Sequence, residues 1–411
     1  MNPVKIKTHF PIFTNHPDLV YFDNAATTQK PASVIKAISD FYESQNANIS
    51  RGVYPISAKA TAAYEEVRQK AADFFGAANS NCIAFTKGTT DGINIVANGF
   101  LKNKIQEGDN IVISAMEHHA NLIPWQQLAK SVGADLRIIP VNVDGELLLE
   151  KLPELLDERT QLLAITAISN SIGTINPLSE IIAFAKKHSI QVLVDGAQSA
   201  GLYPLNLQEL DCDFYVCSAH KMFGPTGVGM LYVHPRKHTV MKPVVFGGGA
   251  IRKVTFEETE FLNYPHVLEA GTPNIAGVIG LGAAIDFCEN IDKIEAVQHI
   301  KNLGAYLRES IACLANGSGQ VEIEGVRVIG EAKNRTGIVS FVMENVHPHD
   351  VAQFLGAEGI AVRAGHHCTQ PLLDHLGVEA TIRVSFSIYN SKEEVDKFVA
   401  ILKGIKSFWE S

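Results

Sequence analysis

The sequence predicts an α/β protein with a seven-stranded, mostly parallel sheet in a large domain and a smaller α+β domain after it. Three observations carry this. Seven short apolar runs have the length of buried strands, at 81–86, 110–114, 136–141, 162–167, 191–195, 213–218 and 228–233. Helical periodicity fills most of the gaps, as in 179–188, where Ile181, Ile182, Phe184 and Ala185 share a face. The last two runs are joined without room for a crossover helix, so one strand there is expected to be antiparallel.

After about Gly271 the pattern changes. Helices are expected over 275–290, 294–315, 349–358 and 392–406, and strands over 337–343 and 381–387. The expected division is an N-terminal arm over 1–19 packing with the small domain, a large domain over 20–287, and a small domain over 288–411.

The bulk numbers narrow the function. The 411 residues are 46% hydrophobic and 19% charged, the make-up of a globular protein large enough to bury real cores. A net charge of −9 without any basic block argues against nucleic acid or an anionic membrane surface. No run of about 20 apolar residues is present to span a bilayer, and residues 1–18 lack the apolar stretch of a signal peptide. Six scattered cysteines without a C-x-x-C pair read as reduced, cytoplasmic thiols.

In a doubly wound sheet, functional groups gather at the carboxyl ends of the strands. There the sequence places Gly88-Thr89-Thr90, His118-His119, Ser169-Asn170, Asp195 with Gln198, and Ser218 with His220 and Lys221. Gly88-Thr89-Thr90 opens a helix expected over 91–101, whose free N–H groups and hydroxyls suit a phosphate; an ordinary N-cap looks the same. Lys221 stands beside an apolar strand end, where a lowered pKa favours Schiff-base chemistry. Asp195 closes the apolar run Val192-Leu193-Val194 and is costly to bury unpaired; a protonated pyridine nitrogen would pair with it. Gln198 would reach the ring's phenolic oxygen, and His118 is suited to lie flat on it. His118-His119 and His366-His367-Cys368 lack the usual zinc spacings, and no metal is expected.

These motifs together resemble the class V aminotransferase-type, fold-type I pyridoxal-phosphate enzymes, and among them the SufS-type cysteine desulfurases. The resemblance runs from Tyr21-Phe22-Asp23-Asn24 to Tyr389-Asn390, and its most specific pieces include Glu269-Ala270-Gly271-Thr272 and Arg363-Ala364-Gly365-His366-His367-Cys368. It implies a pyridoxal 5′-phosphate cofactor joined to Lys221, paired with Asp195, stacked under His118 and contacted by Asn170 and Gln198. Thr89, Thr90, Ser218 and His220 would bind its phosphate, with Thr272 reaching across a homodimer to the neighbouring subunit's phosphate. Arg383 would clamp the substrate carboxylate, and Arg363 and Arg51 would line the pocket. Cys368 would attack the sulfur of L-cysteine, leaving alanine and an enzyme persulfide. Cys82, Cys212, Cys217, Cys288 and Cys313 read as small buried hydrophobes.

The family pattern is broken where Ser50 and Tyr54 replace histidines of a His-Arg-Gly-x-His stretch, and where Ala167 replaces another. Another PLP reaction, such as selenocysteine or sulfinate lysis or transamination, would not need Cys368; an inactive sulfur-assembly scaffold would need neither Lys221 nor Asp195. For the onward step a SufU-like or SufE-like acceptor is expected. His349 reads either as part of a polar helix cap or as the histidine that faces a zinc-containing, SufU-like partner.

Overall fold

The computed structural model describes residues 1–312 and 325–409. Its large sheet contains β1 (Ile83–Thr86), β2 (Asn110–Ser114), β3 (Asp135–Ile139), β4 (Thr160–Thr166), β5 (Gln191–Asp195), β6 (Phe214–Ser218) and β7 (Gly229–Val233) in the spatial order 1-7-6-5-4-2-3. All pairs are parallel except those of β7, which is antiparallel to both β1 and β6, as its short connection requires.

Side chains alternate between two cores, which is why the strands read as unbroken apolar runs. Val112, Leu163, Val192 and Val194 face one way. They meet helices α1 (Ala32–Ser44) and α2 (Pro55–Phe74) through Phe41, Tyr64 and Val67. Ile111, Ile113, Leu162, Ala164 and Leu193 face the other way. They meet α3 (Thr89–Gly99) and α4 (Ile123–Val132) through Ile93, Val96, Trp125 and Leu128. Helices α5 (Leu178–Lys187) and α6 (Ile275–Glu289) complete the first layer.

Two expected boundaries move for local reasons. Residues 80–82 form a one-turn helix capped by the Asn79 side chain, so β1 starts at Ile83. Helix α3 begins at Thr89, two residues early, because Gly88 with φ 152° supplies its non-helical N-cap. An exposed hairpin, β8 (Ile251–Val254) with β9 (Thr259–Phe261), was not foreseen.

A second sheet orders β10 (Val326–Ile329), β11 (Ile338–Met343), β13 (Thr381–Ser385) and β12 (Arg363–Gly365) in that spatial sequence, all antiparallel. It packs with α7 (Lys293–Ala312), α8 (Pro348–Ala357) and α9 (Lys392–Trp409). The same core takes in Phe10, Phe13, Val20 and Phe22 from the chain's start. Val20 and Tyr21 pair in parallel with Ile360 and Ala361. Cys313 and the end of the helix expected over 294–315 lie outside the described residues.

Candidate active site

At the carboxyl ends of the central strands a cleft of about 300 Å³ opens between the two sheets. Its floor is built where three backbones approach closely. A Cβ on Gly229 would stand 2.5 Å from the Gly88 Cα, so only glycine lets β7 press the start of α3 against β6. That approach lets Thr89 N–H donate to Ser218 Oγ at 2.8 Å, with the Thr89 hydroxyl also 2.8 Å from it. Thr90 and His220 complete this corner of the lining.

Lys221 ends the one-turn helix that follows β6. It keeps some solvent contact through the cleft mouth, yet protein encloses it. Burial therefore pulls its pKa down to about 8; Asp195 works in the opposite direction and Arg383 adds to the fall. Asp195 is buried at the end of β5, and burial raises its carboxyl. Among the described residues the carboxylate's only hydrogen bond comes from Ala197 N–H at 2.9 Å.

His118 Nδ1 accepts from Ala120 N–H at 3.0 Å, leaving the ring proton on Nε2. Burial, then Lys221, hold its pKa near 3, so the ring is neutral. Gln198 Nε2 donates to the Ala25 carbonyl at 2.8 Å. Asn170 joins two elements: its Nδ2 donates to the His367 carbonyl at 2.7 Å, and its own carbonyl accepts from Arg383 Nη1 at 2.8 Å.

Cys368 is exposed on the cleft wall, whereas Cys82, Cys212, Cys217 and Cys288 are buried. His367 and Cys368 both sit in the left-handed region, at φ 52° and 57°. Neither is glycine, so each costs on the order of 1–3 kcal/mol and must be held by its surroundings. The holders are Asn170, His119 N–H on the Cys368 carbonyl at 2.7 Å, and a 2.8 Å contact between His367 Nε2 and Thr381 Oγ1.

Arg363 and Arg383 line the same cleft. Arg51 and Thr272 do not: within one chain they border a separate, open cavity of about 690 Å³. His349 lies beside the Cys368 loop, since a Cβ on Gly365 would meet its Nε2 at 3.9 Å. The capping role at α8 belongs to His347, whose side chain accepts from His349 N–H at 3.3 Å.

Three residues of the site escaped the sequence reading. Asp23 bonds both Arg363 and Arg383. Glu117, the residue before His118, is fully buried, raised by burial to about 8, and accepts from Ser114, Asn121 and Thr166. Lys30 donates to the His220 carbonyl at 2.9 Å, which also accepts from Thr27 and Thr28 and so fixes the residue before Lys221. Only Glu117 left a trace in sequence, as an acid just past an apolar strand.

The sheet order, the enclosed lysine near a buried acid and the helix start at the strand ends together have the form of an enzyme site on a doubly wound scaffold. The aminotransferase class-V family model matches residues 20–398, and the chain belongs to that family. It is 46% identical over 409 residues to a probable cysteine desulfurase of Halalkalibacterium halodurans, covering 99% of this chain and 98% of that one. It is 44% identical to a cysteine desulfurase of Escherichia coli strain K12 over 98% of this chain and 97% of that one. The structure of a cysteine desulfurase from Thermococcus onnurineus superposes with a TM-score of 0.93 at 36% identity, covering 99% of each chain. A more distant structure, that of C-DES with glycine linked to its PLP cofactor, is 25% identical with a TM-score of 0.81, covering 97% of this chain and 98% of that one.

Proposed function

We propose that this chain is a pyridoxal 5′-phosphate-dependent cysteine desulfurase that converts L-cysteine to L-alanine and keeps the sulfur as a persulfide on Cys368. The observation that carries the reading is one cleft lined by an enclosed lysine near a buried acid, two arginines, and an exposed thiol. The side chains present fit the cofactor. Asp195 has carboxylate capacity to spare for a ring nitrogen, and the Gly88, Thr89 and Ser218 corner is a helix-start cradle whose shape a Cβ at Gly229 would disrupt by meeting the Gly88 backbone. When bound, the cofactor supplies an electron sink for the bonds at the substrate's α and β carbons.

The chain's own residues do the rest. Lys221 anchors the cofactor and then carries a proton at Nζ, for which a pKa of about 8 suits both tasks. Thr89, Thr90, Ser218 and His220 would hold the phosphate, and His118, Asn170 and Gln198 would contact the ring. Arg383 and Arg363 take the substrate carboxylate. The sulfur of Cys368 attacks the substrate sulfur, so an S–S bond forms as the Cβ–S bond breaks. The carbon takes a proton, and cysteine plus thiol gives alanine plus persulfide in balance.

The working unit in this reading is a homodimer, with Thr272 and Arg51 completing the neighbour's site. Support comes from their position together outside their own chain's cleft, and from the fully exposed Val53 close to Arg51 in sequence. The sulfur then passes to a SufU-like or SufE-like acceptor docking over Cys368. His349 beside that loop favours the zinc-containing, SufU-like kind. Free thiols throughout the described residues suit a cytoplasmic setting. No described helix is long and apolar enough to cross a membrane.

The test is to treat the loaded enzyme with L-cysteine and follow alanine and the mass of the Cys368 peptide. The expected result is alanine release with one added sulfur on that peptide, both lost in Cys368→Ala. Alanine release at the wild-type rate by Cys368→Ala would overturn the reading.

A further inference from the structure

The cleft's charges are arranged around an acid that the reaction itself does not use. Asp23 follows Phe22, and its backbone is fixed by a bridge to Ser385 and by Ala26 N–H on its carbonyl at 3.1 Å. Its carboxylate faces both arginines. Arg363 donates through Nε at 3.1 and 3.2 Å and through Nη2 at 2.9 Å; Arg383 donates through Nη2 at 3.0 Å. Arg383 spends Nη1 on the Asn170 carbonyl, while its Nε is buried without a partner among the described residues.

The consequence is a matter of counting charges. The two arginines share one carboxylate, which leaves the pair with a single positive charge. One substrate carboxylate brings that corner to neutrality. A second acid on the same ligand would find no unmatched cation there: beside Arg383, only 2% exposed, an unpaired charge is disfavoured, and Arg363, whose side chain is 48% exposed at the rim, lessens that cost without supplying a further positive charge. Without Asp23 the same two guanidiniums would match two acids, each by a planar fork.

We propose that Asp23 sets the specificity of the site, admitting amino acids with one carboxylate and rejecting those with two. This deepens the reading of the cleft as an amino-acid site and rests on it. Asp23 acts by occupying charge, a selection against the wrong ligand rather than a contact to the right one.

The test is equilibrium binding of L-alanine and L-aspartate to the loaded enzyme, read from the cofactor's visible band. The wild type should prefer alanine. Asp23→Asn should shift the alanine-to-aspartate ratio of dissociation constants by about tenfold or more toward aspartate, which corresponds to about 1.4 kcal/mol. Asp23→Glu, which keeps the charge, should retain the wild-type ratio. If Asp23→Asn weakens both ligands alike and leaves the ratio unchanged, Asp23 is merely structural and the proposal falls. Should that variant fail to fold, Arg363→Gln decides: removing one positive charge should widen the preference for alanine, and an unchanged ratio would overturn the proposal. Neither ligand carries sulfur, so the ratio is read independently of desulfuration. A wild type that discriminates as expected but makes no alanine from cysteine would overturn the reaction and leave Asp23's role standing.

Discussion

Lys221 offers the sharpest quantitative test of the site. Its amine is brought from an ordinary 10.5 to about 8, chiefly by burial. At pH 7 an amine at 8 is neutral about 300 times more often than one at 10.5. With the cofactor removed, Lys221 should therefore stand out from surface lysines in its reactivity. The assay is competitive labelling with a trace of a neutral acylating reagent across pH, followed by peptide mass spectrometry. Once the cleft admits the reagent, the Lys221 peptide should label with a midpoint near 8, while exposed lysines follow a midpoint above 10. Asp195→Asn gives the sign a second check. Asp195 favours the ammonium, so its removal should move the midpoint further down. A Lys221 midpoint indistinguishable from the surface lysines, or an upward movement in Asp195→Asn, would refute the assignment of burial and Asp195 as the opposing causes.

Three further outcomes are expected. His118 and His367 are held neutral with pKa values near 3, and His220 near 4, mainly by burial. The unfolded chain binds more protons between those values and 6.5, so stability should fall as pH drops through that window, measured by denaturant midpoints from pH 7 to 4. Arg68→Met should cost about 3–5 kcal/mol in urea unfolding, because it strands the Glu269 carboxylate that Arg68 meets at 2.6 and 2.9 Å; adding Glu269→Gln should recover part of that loss. Gly229→Ala would force the Gly88 backbone away, and titration of cofactor-free protein should show pyridoxal phosphate binding weakened about tenfold or more, by the 1–3 kcal/mol typical of overpacking.

What the sequence made legible follows from the physics of a sheet buried on both faces. Along β5 and β6 almost everything is apolar, so Asp195 and Ser218 stand out at the strand ends, and a turn then delivers Lys221 to the same rim. The helix start at Gly88-Thr89-Thr90 was visible because helix starts have their own chemistry. Asp23 had no such mark. Its partners Arg363 and Arg383 lie 340 and 360 residues away, and nothing local requires an acid there. The hairpin over 251–261 stayed hidden because its strands are exposed and lack the apolar alternation that a core imposes.

The Cys368 loop shows why the rest could not be read. Its sequence, Gly365-His366-His367-Cys368, marks a polar turn, but two successive left-handed residues without a glycine are not a local preference. They persist because anchors from three separate places, Asn170 after β4, His119 after β2 and Thr381 in β13, close on the loop at once. Each anchor is worth on the order of 1 kcal/mol, comparable to the strain of one residue, so no single one suffices. The thiol is thereby left exposed on a backbone that cannot follow it. The role proposed for Cys368, meeting a substrate inside the cleft and then handing sulfur to an acceptor outside, would need that combination of fixed backbone and accessible side chain.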